Sequence, residues 1–264
     1  MSRGATYLDR IVAAHRHAAA RDTRDLGELV ARAAQLPPTR GFAAALEAAP
    51  ETAVIAEVKR RSPSKGELAA DLDPTALATA YAAGGAACLS VLTDAEFFGG
   101  SAEDLQAARV ASGRPVLRKD FTVSEADVVD ARSMGADCVL LIVAALSDPE
   151  LSTFHSLALE LGLDALVEVH DEAELERALA VGARVVGVNQ RDLVTFQVDT
   201  ARAVRVAPLI PAGVLGVAES GITGRDDALR LADAGFRALL VGETLVRSGD
   251  PAAAVADLRV AQRR

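Results

Sequence analysis

The chain has 264 residues, half of them apolar, with seven phenylalanines, no tryptophan and a net charge of −9 at pH 7. A chain of this length can bury one large aliphatic core, and about 250 residues is the usual size of a single α/β barrel. The acidic balance excludes general nucleic-acid binding, which needs a basic surface. No apolar run approaches the roughly 20 residues that span a bilayer, and no signal-peptide pattern is present. We therefore expect a cytoplasmic protein without membrane or nucleic-acid partners.

The first fifty residues stand outside the repeat that follows them. An apolar stripe from Tyr7 to Val12 predicts one helix, a second pattern begins at Leu26, and a third resumes at Phe42 after two prolines. The pattern alone leaves two placements open, a helical plug under a barrel or a lid over its catalytic mouth.

From residue 53 onward, short apolar runs alternate with helical patterns. The runs are rich in valine, isoleucine and leucine at nearly every position, as strands buried on both faces of a parallel sheet are. Strands are predicted at 53–58, 87–92, 115–118, 138–142, 164–168, 184–188, 214–218 and 238–241, and helices at 74–83, 102–111, 124–134, 149–161, 172–181, 200–207, 225–234 and 251–260. Eight such units predict one (β/α)8 TIM barrel of the α/β class with an N-terminal helical extension. An open doubly wound sheet is the alternative, but the glycine-rich fingerprint expected after its first strand is missing.

Two cysteines, Cys88 and Cys138, both fall inside predicted strands. Neither belongs to a CxxC or Cys/His spacing of the kind that binds metals or carries redox chemistry. We therefore expect two buried thiols and no metal site.

Charged and amide side chains recur at the carboxyl ends of successive predicted strands. Glu57 and Lys59 are two residues apart at the end of the first strand, so their side chains point to the same side of it. Later strands end in Lys119, Glu168, Asn189, Glu219 and Ser220. In a parallel barrel these ends meet at one face, where lysines and carboxylates can shift each other's pKa values and divide acid from base roles. A salt-bridge lattice at the barrel rim is the purely structural alternative.

Glycines follow the last two predicted strands. Ser220-Gly221 comes after the seventh strand, and Gly242-Glu243 leads from the eighth strand into a helix. Backbone N–H groups at such glycines can converge on a phosphate beside a helix N-terminus. The Glu243 carboxylate would repel that phosphate, so we expect it to point outward and to leave only its N–H at the site.

Phenylalanines and an arginine complete the predicted mouth. Phe98 lies after the second strand and Phe121 directly follows the Lys119 region, an arrangement that suits a flat aromatic substrate ring. Arg191, just beyond Asn189, could pair bidentately with a substrate carboxylate.

These segments resemble the indole-3-glycerol phosphate synthase family over roughly residues 5 to 262. The matching motifs are IAEVKRRSPS at 55–64, LSVLTD at 89–94, FGGS at 98–101, RKDF at 118–121, VEVH at 167–170, GVNQRDL at 187–193, AESGI at 218–222 and LVGE at 240–243. Gln190 departs from the pattern, since many members have a second asparagine there, and we expect little consequence. The resemblance places the extension of residues 1–50 over the barrel mouth and the catalytic barrel in residues 51–264.

The resemblance implies the ring closure of 1-(2-carboxyphenylamino)-1-deoxyribulose 5-phosphate to indole-3-glycerol phosphate, with loss of carbon dioxide and water, in tryptophan biosynthesis. Lys119 is then the candidate general acid at the carbonyl. Glu168, Glu57 and Lys59 are the acids and bases available for dehydration. The remaining candidates are Asn189 and Ser220 in the catalytic set, with Ser62, Phe98, Phe121, Arg191, Leu193, Glu219, Gly221, Gly242 and Glu243 at the substrate.

The reaction requires neither a metal nor an organic cofactor, because loss of carbon dioxide follows from the electron demand of the cyclised intermediate. We expect a monomer that binds a small phosphorylated substrate, with other tryptophan-pathway enzymes as the conceivable protein partners. Two alternatives stay open at this point. One is another phosphate-sugar barrel, such as phosphoribosylanthranilate isomerase or the tryptophan synthase α subunit, and the other is a non-catalytic barrel that acts as a partner subunit.

Overall fold

The computed structural model describes residues 6–62, 66–192 and 196–262, and its centre is a closed barrel of eight parallel strands. The strands are β1 (Ala53–Val58), β2 (Cys88–Leu92), β3 (Val116–Lys119), β4 (Cys138–Ile142), β5 (Asp164–Val169), β6 (Val185–Asn189), β7 (Leu215–Glu219) and β8 (Ala238–Val241). Strands that follow each other along the chain are neighbours in the barrel, and β8 pairs with β1 to close it. The prediction of a (β/α)8 barrel is confirmed.

Helices surround the barrel and precede it. They are α1 (Tyr7–Ala19), α2 (Leu26–Ala33), α3 (Phe42–Glu47), α4 (Pro74–Ala83), α5 (Ala95–Phe98), α6 (Ala102–Ser112), α7 (Glu125–Ser133), α8 (Asp148–Glu160), α9 (Glu172–Ala180), α10 (Thr200–Val206), α11 (Arg225–Asp233), α12 (Glu243–Val246) and α13 (Pro251–Leu258). A short hairpin pairs Arg61–Ser62 with Gly66–Glu67 after β1. No helix within these described residues has the length and apolar character needed to cross a membrane.

Alternation along each strand divides the apolar side chains into two cores. In β1, Ala53 and Ile55 face the barrel interior, whereas Val54 and Ala56 pack between the barrel and its surrounding helices. Glu57 continues the inward-facing row, so the carboxylate lies at the end of an otherwise apolar interior. Because side chains alternate along each strand, charged residues at the carboxyl ends of the strands can face the barrel interior at one end of the barrel.

The two cysteines belong to the interior core. Cys88 begins β2 and Cys138 begins β4, and both are free and fully buried thiols. Burial raises the pKa of both thiols well above its ordinary value, which keeps them protonated. The prediction of two buried thiols is confirmed.

The N-terminal helices lie at different places around the barrel. Residues of α1 line the cavity at the carboxyl ends of the strands, and Arg16 in α1 pairs with Glu150 at 2.7 Å. Helix α3 is at the opposite end, where Phe42 and Leu46 are fully buried in the interior core among residues that begin the strands. The extension therefore contacts both ends of the barrel, with α1 at the mouth and α3 at the opposite end.

Predicted and observed strand bounds agree within one residue, and the differences are systematic. Several strands extend one residue further than predicted, to Lys119, Asn189 and Glu219. The predicted bounds of the sixth and seventh strands end just before Asn189 and Glu219, whereas backbone pairing continues through both residues, which pair with each other. The polar site residues are therefore held by the sheet itself.

Candidate active site

A cavity of about 800 Å³ opens at the carboxyl ends of the strands. Every predicted site residue that the structure describes lines this cavity: Glu57, Lys59, Ser62, Phe98, Lys119, Phe121, Glu168, Asn189, Arg191, Glu219, Ser220, Gly221, Gly242 and Glu243. Leu193 lies outside the described residues. The cavity is large enough to enclose a ligand of the size of a phosphorylated sugar derivative.

Lys119 is at the centre of the charged groups. Its Nζ lies 3.1 Å from Glu219 Oε2 and 3.3 Å from Glu168 Oε2. Burial opposes the charge of this ammonium, but Glu219 and Glu168 outweigh burial and raise the pKa of Lys119. The lysine is therefore a fixed cation within the cavity.

The neighbours of Lys119 in sequence keep it pointing inward. Arg118 lies on the outer side of β3, where it donates to Asp120 Oδ2 at 3.1 Å and to the carbonyl of Asp127 at 2.7 Å. Because side chains alternate along a strand, the buried outward position of Arg118 fixes the inward position of Lys119.

The two carboxylates that share Lys119 differ in their environments. Glu168 also accepts a hydrogen bond from Asn189 Nδ2 at 3.1 Å, whereas Oε1 of Glu219 is buried with no hydrogen-bond partner. Burial raises the pKa of Glu219, and repulsion by Glu168 adds to it. Burial also opposes the charge of Glu168, but Lys119 and the other donors outweigh it and lower the pKa of Glu168. The pair is thus divided into an ionised Glu168 and a Glu219 that retains a proton more readily.

Glu57 and Lys59 form a second charged pair beside the first. Lys59 Nζ hydrogen-bonds to Glu57 Oε1, and the hydroxyl of Ser90, at the paired position on β2, lies 3.4 Å from Glu57 Oε2. Burial opposes ionisation of Glu57, yet the charges of Lys59 and Lys119 outweigh burial and lower its pKa. The carboxylate is thus held ionised.

The loop after β7 lines the cavity and has an uncommon backbone conformation. Ser220 and Gly221 both adopt the left-handed conformation, with φ of 67° and 71°. The side-chain amide of Gln190 donates to the Ser220 carbonyl at 2.7 Å, and Thr244 donates to the Ile222 carbonyl at 2.7 Å. These bonds hold the loops after β6, β7 and β8 together at the edge of the cavity.

Gly242 joins this loop to the charged pair. A Cβ placed on Gly242 would overlap Glu57 Oε1 and would lie 3.1 Å from Lys59 Nζ. The space beside this glycine is therefore taken by the two charged side chains rather than left for the anion alone. The Glu243 carboxylate lies 3.8 Å from Arg247 Nη1, an added cation at the cavity edge.

Aromatic rings form the opposite side of the mouth. The rings of Phe98 and Phe121 are 6.2 Å apart between centroids, and the ring of His15 from α1 is 5.5 Å from that of Phe121. Tyr7 of α1 meets the ring of Phe196 edge-on at 5.4 Å. The helix α1 thus completes an aromatic wall that is built from both the extension and the barrel.

Some residues of the site were not found from the sequence. Arg247 and Thr244 line the cavity, and Gln190, expected to be of little consequence, holds the Ser220 loop. The i,i+4 spacing of Glu243 and Arg247 in a helix after β8 was a signal that could have identified the arginine. Gln190 carried no such signal, because its role depends on a loop that is distant in sequence.

One group of potential metal ligands occurs within the described residues. His15, Asp94 and Asp120 bring three ligand atoms within 4.8 Å of one another. However, Asp120 already pairs with the guanidinium of Arg118 at 3.1 Å, and Asp94 accepts the backbone N–H groups at the start of α5 while it pairs with His15 at 2.9 Å. The cluster is therefore satisfied as an ion-pair network that attaches α1 to the barrel.

Comparison with known proteins identifies the family. The family model for indole-3-glycerol phosphate synthase matches residues 8–258. Indole-3-glycerol phosphate synthase of a Nocardioides species is 54% identical over 252 residues, which cover 95% of this chain and 96% of that protein. The enzyme of the same name from Mycolicibacterium gilvum is 51% identical over 256 residues, with 96% and 94% covered.

Solved structures with low sequence identity share the fold. A 3-hexulose-6-phosphate synthase has a TM-score of 0.60 at 17% identity and covers 80% of this chain and 100% of its own. A thiamine phosphate pyrophosphorylase from Pyrococcus furiosus has a TM-score of 0.59 at 15% identity and covers 79% and 94%.

The family match decides between the alternatives that the sequence left open, because it extends over nearly the whole chain and names a single enzyme activity. The protein is an enzyme of the lyase class, and its substrate is a small phosphorylated molecule. The chain belongs to the indole-3-glycerol phosphate synthase family of tryptophan biosynthesis.

Proposed function

We propose that Lys119 is the general acid of ring closure. In this step the aromatic carbon attacks the ketone of the substrate, and the ketone oxygen gains a proton as it becomes a hydroxyl. The observation that carries the proposal is the Lys119 ammonium, buried between Glu168 and Glu219 at 3.3 and 3.1 Å. A fixed, desolvated cation at this point stabilises the charge that develops on the ketone oxygen.

We assign the later steps to the carboxylates and the second lysine. Loss of carbon dioxide follows from the electron demand of the cyclised intermediate. The hydroxyl then leaves as water, and a proton must be removed to form the indole. Glu168 is the base in our proposal, because Lys119 and Asn189 keep it ionised. Glu57 and Lys59 supply the second acid and base pair.

The two ends of the substrate are bound by opposite sides of the cavity. The phosphate lies against the N–H groups of Ser220, Gly221 and Gly242, with Lys59 beside them. The aromatic ring lies against Phe98 and Phe121, and its carboxylate meets Arg191. Ser62, Leu193, Glu219 and Glu243 complete the proposed substrate contacts. Both ends must be bound for the reacting carbon to reach the ketone.

We also propose that residues 1–50 act as an extension that covers the mouth through α1, and that residues 51–264 form the catalytic unit. Tyr7, Leu8 and Ile11 of α1 line the cavity, which supports this division. We propose a cytoplasmic monomer, with other tryptophan-pathway enzymes as candidate partners. Sedimentation velocity of the purified chain tests the monomer, and a dimer at micromolar concentration would contradict it.

The test of the main proposal is the Lys119→Met variant. Purified protein is mixed with the anilino-ribulose phosphate, and indole fluorescence is followed. We expect kcat to fall at least about a hundredfold, the lower range for a lost general acid, while the product still binds in an equilibrium titration. Arg205→Met removes an exposed cation that pairs with Glu172 away from the cavity and is the matched control, with a much smaller effect on kcat. Turnover of Lys119→Met close to that of the unmodified chain would remove Lys119 from the mechanism.

A further inference from the structure

His170 is a buried histidine directly after β5 that lies outside the cavity lining. Its side chain is 12% exposed. Nδ1 lies 3.0 Å from Glu174 Oε2, and the backbone N–H of His170 donates to the same oxygen at 2.7 Å. Glu174 is in the first turn of α9, four residues further along the chain. The ring is thus fixed from one side by a carboxylate of the neighbouring helix.

The other ring nitrogen has no hydrogen-bond partner. Nε2 of His170 is buried and unpaired, and it lies 3.6 Å from Oε1 of Glu168. With Nδ1 donating its hydrogen to Glu174, a neutral ring would direct the Nε2 lone pair at the carboxylate of Glu168. A protonated ring directs an N–H at it instead. The geometry between two carboxylates therefore favours the imidazolium form.

We propose that His170 is a positioning residue that remains protonated in the working enzyme and, bridging Glu174 and Glu168, keeps Glu168 ionised and correctly oriented. This inference rests on the proposed role of Glu168 as a base. His170 does not line the cavity, whereas Glu168 does, so an effect of His170 on the reaction passes through Glu168.

The charges around the ring support this role. Burial disfavours the imidazolium, but the hydrogen bond to Glu174 and the charge of Glu168 outweigh burial and raise the pKa of His170, while the guanidinium of Arg202 opposes them. The pKa of Glu168 is lowered most by the charge of Lys119 and next by that of His170, which together with the donors to this carboxylate outweigh burial. Asn189 donates to the same oxygen of Glu168 that His170 faces. Glu219 of β7 is the opposing carboxylate, since it shares the Lys119 ammonium with Glu168. The groups that surround the His170–Glu168 pair therefore come from β3, β6, β7, α9 and α10.

The first test is the pH profile of kcat in His170→Gln, which keeps an amide donor and removes the charge. A carboxylate that loses a cation at this distance has its pKa raised by about 1 unit or more, so the acid limb of the profile should move up by about 1 pH unit. Glu172→Gln is the matched control, because it neutralises an exposed carboxylate on the same helix that pairs with Arg205 at the surface. An unshifted acid limb in His170→Gln would overturn the inference.

The second test does not depend on the folding of the His170 variant. The chain has only four histidines, so imidazole nitrogen resonances of ¹⁵N-labelled protein can be assigned one by one. We expect His170 to carry protons on both nitrogens at pH 7, and we expect Glu168→Gln to lower the pKa of His170, since coupling between two sites is reciprocal. A neutral His170 at pH 7, or a pKa that is the same in both proteins, would overturn the inference.

The two tests separate this inference from the proposed function. Turnover retained by Glu168→Gln would overturn the role of Glu168 as a base, and the NMR titration would still decide whether His170 and Glu168 are coupled. Loss of turnover in Glu168→Gln together with an unshifted profile in His170→Gln would leave the proposed function intact and remove His170 from it.

Discussion

Replacing Glu219 by glutamine should change how the stability of the enzyme depends on pH. The side chain of Glu219 is 1% exposed, shares the Lys119 ammonium with Glu168, and leaves Oε1 without a hydrogen-bond partner. Burial, assisted by repulsion from Glu168, raises the pKa of Glu219 from its ordinary 4.5 to about 7. Between these two pH values the folded protein holds a proton on Glu219 that the unfolded chain has released.

The sign and the size follow from proton linkage. A carboxyl whose pKa is raised in the folded state contributes stability that is present below its unfolded pKa and is lost as the pH rises through its folded pKa. The pKa of Glu219 rises from 4.5 to about 7 on folding. At about 1.4 kcal/mol per pH unit, this rise corresponds to a loss of about 3 kcal/mol in the free energy of unfolding as the pH increases across that interval. Glutamine is neutral throughout and does not contribute this loss. The free energy of unfolding of Glu219→Gln, relative to that of the unmodified chain, should therefore rise by about 3 kcal/mol from pH 4.5 to pH 7.5.

Urea unfolding of both proteins at several pH values across this range measures the difference directly. Groups whose pKa values are the same in both proteins contribute equally to both free energies of unfolding, so their titration cancels when one is subtracted from the other. Glu243→Gln is the control, because it neutralises a carboxylate at the edge of the same cavity that is 32% exposed near Arg247. Parallel stability curves for Glu219→Gln and the unmodified chain would show that Glu219 is ionised throughout, and the division of roles between Glu168 and Glu219 would be wrong.

Four further substitutions address other parts of the site. Lys59→Ala should raise KM and lower kcat together in steady-state assays, whereas Glu57→Gln should mainly lower kcat. Equal changes in KM alone for both variants would show that the pair contributes only to substrate binding. Gly242→Val should weaken binding of the phosphorylated product far more than that of its dephosphorylated analogue in titrations, and equal losses would assign the glycine to packing. His15→Gln should speed hydrogen exchange in α1 at pH 6 and have less effect at pH 9, because Asp94 and its neighbours outweigh burial and raise the pKa of His15. An effect on exchange that is independent of pH would contradict this last expectation.

The barrel and most of its site could be predicted because they depend on local patterns. Short apolar runs identify strands that are buried on both faces, and the connection of each strand to the next through a helix forces all carboxyl ends to one face. The sequence alone thus predicts that Lys119 and Glu168, which are 49 residues apart, lie close together. The topology brings them together without any further information.

Features that depend on contacts distant in sequence could not be predicted in the same way. The stripe that begins at Tyr7 and the one that resumes at Phe42 have similar patterns, yet one lies at the mouth and the other at the opposite end of the barrel. Only the shape of the completed barrel distinguishes these two places. Similarly, Gln190 acquires its role from the Ser220 carbonyl, which is exposed to it only when the loop after β7 has folded.

In the binding mode that we propose, the position of Gly242 connects substrate binding to chemistry. The proposed phosphate loop and the Glu57–Lys59 pair share one small volume, because a side chain at Gly242 would overlap Glu57 and lie 3.1 Å from Lys59. A phosphate bound at this glycine therefore also meets Lys59, and it competes with Glu57 for that ammonium. Partial withdrawal of Lys59 raises the proton affinity of Glu57 when substrate is present. We therefore expect binding of the phosphate end to prepare an acid or base at the reacting end, so that a substrate without its phosphate loses kcat as well as affinity.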